Sequence, residues 1–267
     1  MINRYRTMTK PFTLIQLTDM HIDATGEGYY GVDVRAQFYH ALEKIKPYSP
    51  DLLVLSGDLA ADQGEIEAYE WLNKQLIGFN IPYVLMSGNH DKLSIMKQVF
   101  SIADKDILAD KFLCYKRDIA GYACYFLDST PYTVSAEQLA WFSAHLQADK
   151  RPSLLFIHHP PTYCGARFLE KKYALKNAEE VWQVICTAPH LNHIFCGHYH
   201  TDMCVQKQQK NVYITPSTMA QIYTESEDFK IAHQVAGWRV IELQEGGKIE
   251  SFTEYLSKVP DTLYVES

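Results

Sequence analysis

The chain has 267 residues, 47% of them hydrophobic, enough to bury a sizeable core in a single domain spanning 1–267. A formal charge of −7 argues against a nucleic-acid binder, which would normally carry a basic face, yet leaves room for an anionic substrate held by metal ions. No run approaches the ~18 apolar residues of a membrane span, and six cysteines without a C-x-x-C pair read as reduced thiols of a cytoplasmic protein.

The polar, basic start Met1–Pro11 lacks the apolar centre of a signal peptide. Residues 12–18 then predict a strand that ends at Asp19, and the Gly- and Tyr-rich loop from Asp23 to Gly31 is expected to lie over the site. Val34, Phe38, Ala41, Leu42 and Ile45 recur at helical spacing, stopped before Pro47 and Pro50. A second apolar run, Leu52 to Ser56, ends at Gly57-Asp58. Ala68, Leu72, Leu76 and Phe79 mark a second helix, and Pro82 precedes a third strand ending at Gly88-Asn-His-Asp91. This β-α-β-α-β order predicts parallel strands with right-handed crossovers, whose ligands bind beyond the carboxyl ends.

Residues 93–108 predict a helix, and Phe112–Ala120 with Tyr122–Leu127 a hairpin. Ser135-Ala-Glu-Gln138 has the form of a capping box before another helix. Strand 153–157 leads into His158-His159-Pro160-Pro161, followed by a loop, a helix near 177–187, and strand 192–196 ending at Gly197-His198-Tyr199-His200. Short strands at 203–206, 212–215, 238–243 and 248–255 predict an antiparallel tail continuing a second sheet. The motifs fall in a core, 12–215, with 216–267 as a β extension that either covers the site or forms a homodimer interface. The expected architecture is α/β: two packed mixed sheets flanked by helices.

Five strand ends thus offer His, Asp or Asn. Any one alone is an ordinary polar turn; five together are the pattern of a metal centre. Imidazole with carboxylate favours Mn, Fe, Co, Ni or Zn over Ca or Mg. Asp19-x-His21 and His198-x-His200 each place two donors on one side of an extended chain. Asp58 is the natural carboxylate to lie between two ions about 3.5–4 Å apart, which can hold a hydroxide nucleophile and clamp phosphoryl oxygens. No serine or cysteine nucleophile elbow is present.

In the order D-x-H, G-D, G-N-H-D, H-H-P-P, G-H-x-H, from Asp19 to His200, the chain resembles the calcineurin-like metallophosphoesterases. It is most similar to their class III cyclic-nucleotide phosphodiesterases through Gly31-Val-Asp33, Gly57-Asp-Leu-Ala-Ala-Asp62, Leu175-Lys-Asn-Ala178, Thr215-Pro-Ser-Thr218 and Gly237-Trp-Arg-Val-Ile-Glu-Leu243. The resemblance implies a four-layer αββα sandwich and a centre of two divalent transition ions. Asp19, His21 and His200 would hold one ion, Asn89, His158 and His198 the other, with Asp58 between them. His158, directly after its strand, aligns with the ligand; His159 would back the site or face the substrate. His90 would protonate the leaving oxygen, oriented by Asp91.

The implied reaction is hydrolysis of 3′,5′-cyclic AMP to 5′-AMP by in-line attack of the bridging hydroxide. Glycerophosphodiesters or 2′,3′-cyclic nucleotides are the alternative substrates, and a non-catalytic metal-binding scaffold the remote one. Tyr29, Tyr30, His159, Tyr163 and Arg167 are candidate contacts to base and ribose. The G-D-x-x-D-R-G signature of the phosphoprotein phosphatase branch is absent, since Ala60-Ala-Asp-Gln-Gly64 stands there.

Overall fold

The computed structural model describes residues 10–260; the segment 1–9, most of the polar start that lacks the apolar centre of a signal peptide, lies outside them. In chain order the elements run β1 (Phe12–Leu17), α1 (Val34–Ile45), β2 (Leu52–Ser56), α2 (Ile66–Phe79), β3 (Tyr83–Met86) and α3 (Leu93–Val99). Next come β4 (Ile107–Leu108), β5 (Phe112–Leu113), β6 (Tyr115–Ile119), β7 (Tyr122–Leu127), α4 (Ala136–Ala148) and β8 (Ser153–Ile157). Then follow α5 (Arg167–Tyr173), α6 (Ala178–Cys186), β9 (Leu191–Cys196), β10 (Met203–Lys207) and β11 (Lys210–Ile214). The last described are β12 (Gln221–Ile222), β13 (Ile231–His233), β14 (Gly237–Leu243) and β15 (Ile249–Tyr255).

Local chemistry sets the helix starts. Asp33 accepts the Ala36 amide and caps α1, whose Val34, Phe38, Ala41, Leu42 and Ile45 form the buried face. Ser135 likewise accepts the Gln138 amide at the start of α4. The strands gather into a five-stranded sheet, β15-β14-β1-β2-β3, and a six-stranded sheet, β10-β11-β9-β8-β7-β6. In the first, β1, β2 and β3 are parallel. In the second, β7, β8, β9 and β11 are parallel, with β6 and β10 antiparallel at the edges.

Alternation along the second sheet assigns its two faces. Phe126, Phe156 and Phe195 join the buried cluster that holds the first sheet, α1 and α2. Their neighbours Tyr125, Leu155 and Ile194 pack instead with Phe142 of α4 and Trp182 of α6. The layers are therefore helix, sheet, sheet, helix. Directly opposed residues Tyr115, Phe126, Phe156, Phe195 and Tyr213 stack across five strands, with successive ring centroids 4.6, 5.1, 5.2 and 4.9 Å apart. A one-residue slip would turn any of these rings to the other face, so the ladder fixes the register.

The structure departs from expectation in four places. The helix predicted over 93–108 stops at Val99, because Phe100 turns extended into the core and Asp106 is buried in an ion pair with Arg117 of β6. The strand predicted over 112–120 breaks at Cys114, whose amide donates to Asp106 and Phe112 instead of a neighbouring strand. The loop after Pro161 contains α5. Finally, the tail does not simply continue the second sheet: β14 pairs antiparallel with β1 and completes the first. Trp238, Val240 and Ile241 of β14 are all fully buried, which requires a place inside the sandwich. Arg239, also buried, reaches across to Asp202 at 2.9 Å and to the Ile214 carbonyl at 3.0 Å, tying the two sheets together.

Candidate metal centre

At the carboxyl ends of β1, β2 and β9 the chain turns through left-handed backbone. Asp19 (φ 51°), His21 (43°), Asp58 (49°), His198 (66°) and His200 (46°) all lie in this sparsely populated region. Such conformations persist where surrounding structure over-determines them. The Asp19 and His21 amides donate to Gly57 and Asp58 carbonyls at 3.0 Å, and the Gly197 amide to His158 at 3.0 Å, so the loops zip together. Gly57 and Gly88 permit the approach. A Cβ on Gly57 would stand 2.6 Å from His158 Nδ1, and one on Gly88 would overlap the Asp58 carboxylate.

The side chains converge accordingly. His200 Nε2 lies 3.3 Å from Asp19 Oδ1 and 3.2 Å from His21 Nε2. His158 Nε2 lies 3.2 Å from Asp58 Oδ2 and 3.7 Å from Asp19 Oδ1. Three of the imidazoles are fixed from behind by backbone carbonyls. His158 Nδ1 donates to Ser56 at 2.9 Å, His200 Nδ1 to Ala220 at 3.0 Å, and His198 Nε2 to Tyr173 at 3.0 Å. Because a carbonyl only accepts, each contact fixes the tautomer of the neutral ring, and an ion at the other nitrogen would take the place of any proton there.

Electrostatics describe a pocket built for cations. Burial holds His21 and His198 down at about 3, so both rings are neutral at pH 7. Burial would also depress His158, but Asp58 and Asp19 pull it up to about 10. Burial would raise the carboxylates; the imidazoles overcome it, His200 foremost at Asp19, which sits at about 2, and His158 foremost at Asp58, held well below the usual range. Donor atoms of Asp19, His21 and His200 lie within 4.8 Å of one another, as do those of Asp19, Asp58 and His158, and of His158, His159 and His198. Asn89 Oδ1, in the loop after β3, is buried without a hydrogen-bond partner. This nitrogen-and-oxygen donor set fits divalent transition ions.

The calcineurin-like phosphoesterase family profile matches residues 12–202, which takes in every one of these donors. The chain belongs to the calcineurin-like phosphoesterase family. The phosphoesterase is 38% identical over 231 residues to a Fibrobacter succinogenes protein named "Probable cyclic nucleotide phosphodiesterase", covering 86% of this chain and 89% of that one. It is 30% identical over 261 residues to the Escherichia coli 3′,5′-cyclic adenosine monophosphate phosphodiesterase CpdA, covering 93% and 92%. Among solved structures, a dimetal phosphatase from Danio rerio superposes with a TM-score of 0.64 at 16% identity over 93% of this chain and all of that one. At that identity the likeness concerns the fold. Among the described residues, no helix of the phosphoesterase is long and apolar enough to cross a membrane.

The centre opens into a cleft of about 500 Å³ lined by His21, Asp58, Asn89, His90, His198 and His200 at its floor. Tyr29 and Tyr30 line it as expected. Tyr163 and Arg167 do not: Tyr163 points into solvent, and Arg167 pairs with Glu225 at 3.4 Å. His159 is fully buried and off the cleft surface, its Nδ1 2.8 Å from Ser129 Oγ and its ring 4.2 Å from that of His198. It packs against His198 and does not line the cleft. Asp91 does not touch the His90 ring. It receives the amides of Leu59 (3.1 Å), Ala60 (3.3 Å) and Gly88 (2.8 Å) and the Tyr69 hydroxyl (2.9 Å), so it orients the loops that carry Asp58 and Asn89.

The motif Thr215-Pro-Ser-Thr218 has a comparable part. Ser217 Oγ donates to the Asp19 carbonyl at 2.8 Å, and the Thr218 amide to the Thr18 carbonyl at 3.2 Å, bracing the first loop. Sequence reasoning missed Tyr132, Phe168, Tyr173 and Phe229, which form the cleft's upper wall. Each is a single aromatic in a loop or in the short α5. No periodicity marks them, since Phe168 and Tyr173 stand five residues apart, which is not a helical repeat.

Proposed function

We propose that the phosphoesterase hydrolyses 3′,5′-cyclic nucleotides, cyclic AMP among them, to the 5′-monophosphate. The carrying observation is the convergence of Asp19, Asp58 and four histidines at one floor, beneath a small-molecule-sized cleft with aromatic upper walls. Relatives aligned over nearly the whole chain and named as cyclic-nucleotide phosphodiesterases support the substrate class.

Asp19, His21 and His200 would hold one divalent transition ion, Asn89, His158 and His198 a second, and Asp58 both. His158 is preferred to His159 because its Nε2, not that of His159, faces the two carboxylates. When bound, such ions supply positive charge for phosphoryl oxygens and a water acidified toward neutral pH. The chain's own residues do the rest. Carbonyl-anchored imidazoles keep their lone pairs aimed inward without reorganisation. Asn89, being neutral, adds a donor without repelling an anionic diester. His90, held by its amide on Asp58 Oδ1 at 2.8 Å and exposed to the cleft, carries the proton for the departing 3′ oxygen. The six cysteines are free and four are buried, which supports a reducing, cytoplasmic setting.

The test is steady-state hydrolysis of 3′,5′-cyclic AMP by manganese-loaded protein beside a chelator-treated sample and an aliphatic glycerophosphodiester. Turnover lost on chelation and restored by metal supports the mechanism. A kcat/KM for cyclic AMP below that for the glycerophosphodiester would overturn the substrate and retain the chemistry.

A further inference from the structure

Six aromatic rings form an unbroken arch over the cleft, running from one side of the proposed centre to the other. Tyr29 lies nearly flat over His21, with centroids 5.6 Å apart and planes 17° apart. Tyr30 meets Tyr29 edge-on at 4.7 Å, Phe229 lies 5.7 Å from Tyr30, and Phe168 lies 5.8 Å from Phe229. Tyr173 follows at 5.8 Å from Phe168, then Tyr132 at 6.4 Å, whose ring stands 6.0 Å from His198. All six line the cleft. Four separate segments supply them: the loop before α1, the loop after β7, helix α5 and the loop between β12 and β13.

Three of these rings remain exposed for their size: Tyr30 at 60%, Phe229 at 42% and Tyr173 at 39%. They are neither satisfied core aromatics nor scattered surface ones, since each sits in one continuous wall above a polar floor. A flat, apolar group attached to a phosphodiester would be sandwiched there while its phosphate rests below.

Building on the cyclic-nucleotide reading, we propose that the arch is the nucleobase platform and that it recognises the base by its ring face without reading its edge. Stacking on aromatic rings is tolerant of base identity. Discrimination between adenine and guanine needs groups with a fixed donor or acceptor role. Apart from the floor residues, the polar side-chain atoms lining the cleft are tyrosine hydroxyls, which both give and accept and so serve either purine. The Tyr29 hydroxyl is engaged by Asp62. The carbonyls of Tyr173 and Ala220 each already accept one hydrogen bond, from His198 and His200. A site that hydrogen-bonds a substrate group rejects its analogue by about 10⁴–10⁵, and above the floor no side chain lining this cleft has a fixed donor or acceptor role.

The test compares kcat/KM of the manganese-loaded enzyme for 3′,5′-cyclic AMP, 3′,5′-cyclic GMP and an aliphatic glycerophosphodiester, in the parent, Phe229→Ala and Tyr30→Ala. Both substitutions fall at exposed positions on different segments, so a folding defect in one is checked by the other, and Phe229→Tyr should restore function. The two purine substrates should agree within about tenfold, and each Ala variant should lower the cyclic-nucleotide to aliphatic ratio about five- to hundredfold. A gap above a hundredfold between the purines would overturn indifference to the base edge. An unchanged ratio in both variants, with cyclic AMP turned over normally, would overturn the platform. Turnover of the aliphatic diester with none of either cyclic nucleotide would overturn the cyclic-nucleotide reading itself, and this inference with it.

Discussion

The floor of the cleft and the arch above it are built on opposite principles. The floor consists of strand ends. Asp19, His158 and Asp58 are essentially without solvent contact, and the backbone there is held in left-handed turns by reciprocal amide–carbonyl bonds. The arch consists of loop and short-helix rings, three of them substantially exposed, touching one another at 4.7–6.4 Å. Chemistry needs donor atoms held to within fractions of an ångström, which only a packed scaffold supplies. Selectivity for a flat group needs surface and adaptability, which loops supply at little cost to the core.

The sharpest way to break this comparison is at the centre of the floor. Replacing Asp58→Ala removes the carboxylate proposed to serve both ions and leaves His158 without its nearest counter-charge. Turnover should fall by about a thousandfold or more, equivalent to several kcal/mol of transition-state stabilisation. Metal stoichiometry measured by elemental analysis should fall in parallel. A variant retaining two ions per chain and full turnover would show that Asp58 is structural. Next in size is His90→Ala, with an expected loss of about a hundredfold or more in kcat and metal content unchanged. Loss of metal alongside activity would mean that His90 belongs to the donor set instead of acting on the leaving group.

A third substitution separates holding the floor from performing chemistry. Asp91 accepts four donors and gives none. An amide in its place would turn an NH₂ group toward N–H and O–H donors, leaving buried groups unpaired. Asp91→Asn should therefore destabilise the protein by about 2–4 kcal/mol in urea unfolding and reduce activity in proportion to the floor's lost order. Unchanged stability would mean the loops of Asp58 and Asn89 are held by something other than this clamp.

The floor was legible in the sequence and the arch was not, for the same physical reason. A buried parallel strand must be a short apolar run, and function beyond its end must be a polar cluster at a fixed offset, so Asp19, Asp58, Asn89, His158 and His198 announce themselves. Helices α1 and α2 were legible through the spacing of their buried faces. By contrast Phe168, Phe229 and Tyr132 are lone aromatics in polar surroundings, and α5 is seven residues long with two lysines on it, too short for periodicity to register. The misplacement of β14 had another cause. Its pairing with β1 joins the two ends of the chain, and no local pattern encodes which sheet a late strand completes. Asp91 was misread from adjacency: successive residues point apart, so a neighbour in sequence was taken for a partner in space.

The smallest expected effect tests whether the arch depends on its ion pairs. The loop between β12 and β13 is joined to α5 by Arg167–Glu225 at 3.4 Å and Lys171–Glu227 at 2.7 Å, and by the Arg167 amide on the Thr224 carbonyl at 3.0 Å. All four charged side chains are more than half exposed, so each pair is screened by solvent and salt and contributes little. The backbone contact and the packing of Phe168 on Phe229 do not depend on charge. Lys171→Ala should therefore change kcat/KM for cyclic AMP by less than about twofold and leave the urea unfolding midpoint where it is. A loss approaching that of Phe229→Ala, and deepening with added salt in the parent, would show instead that surface charge holds the arch closed over the floor.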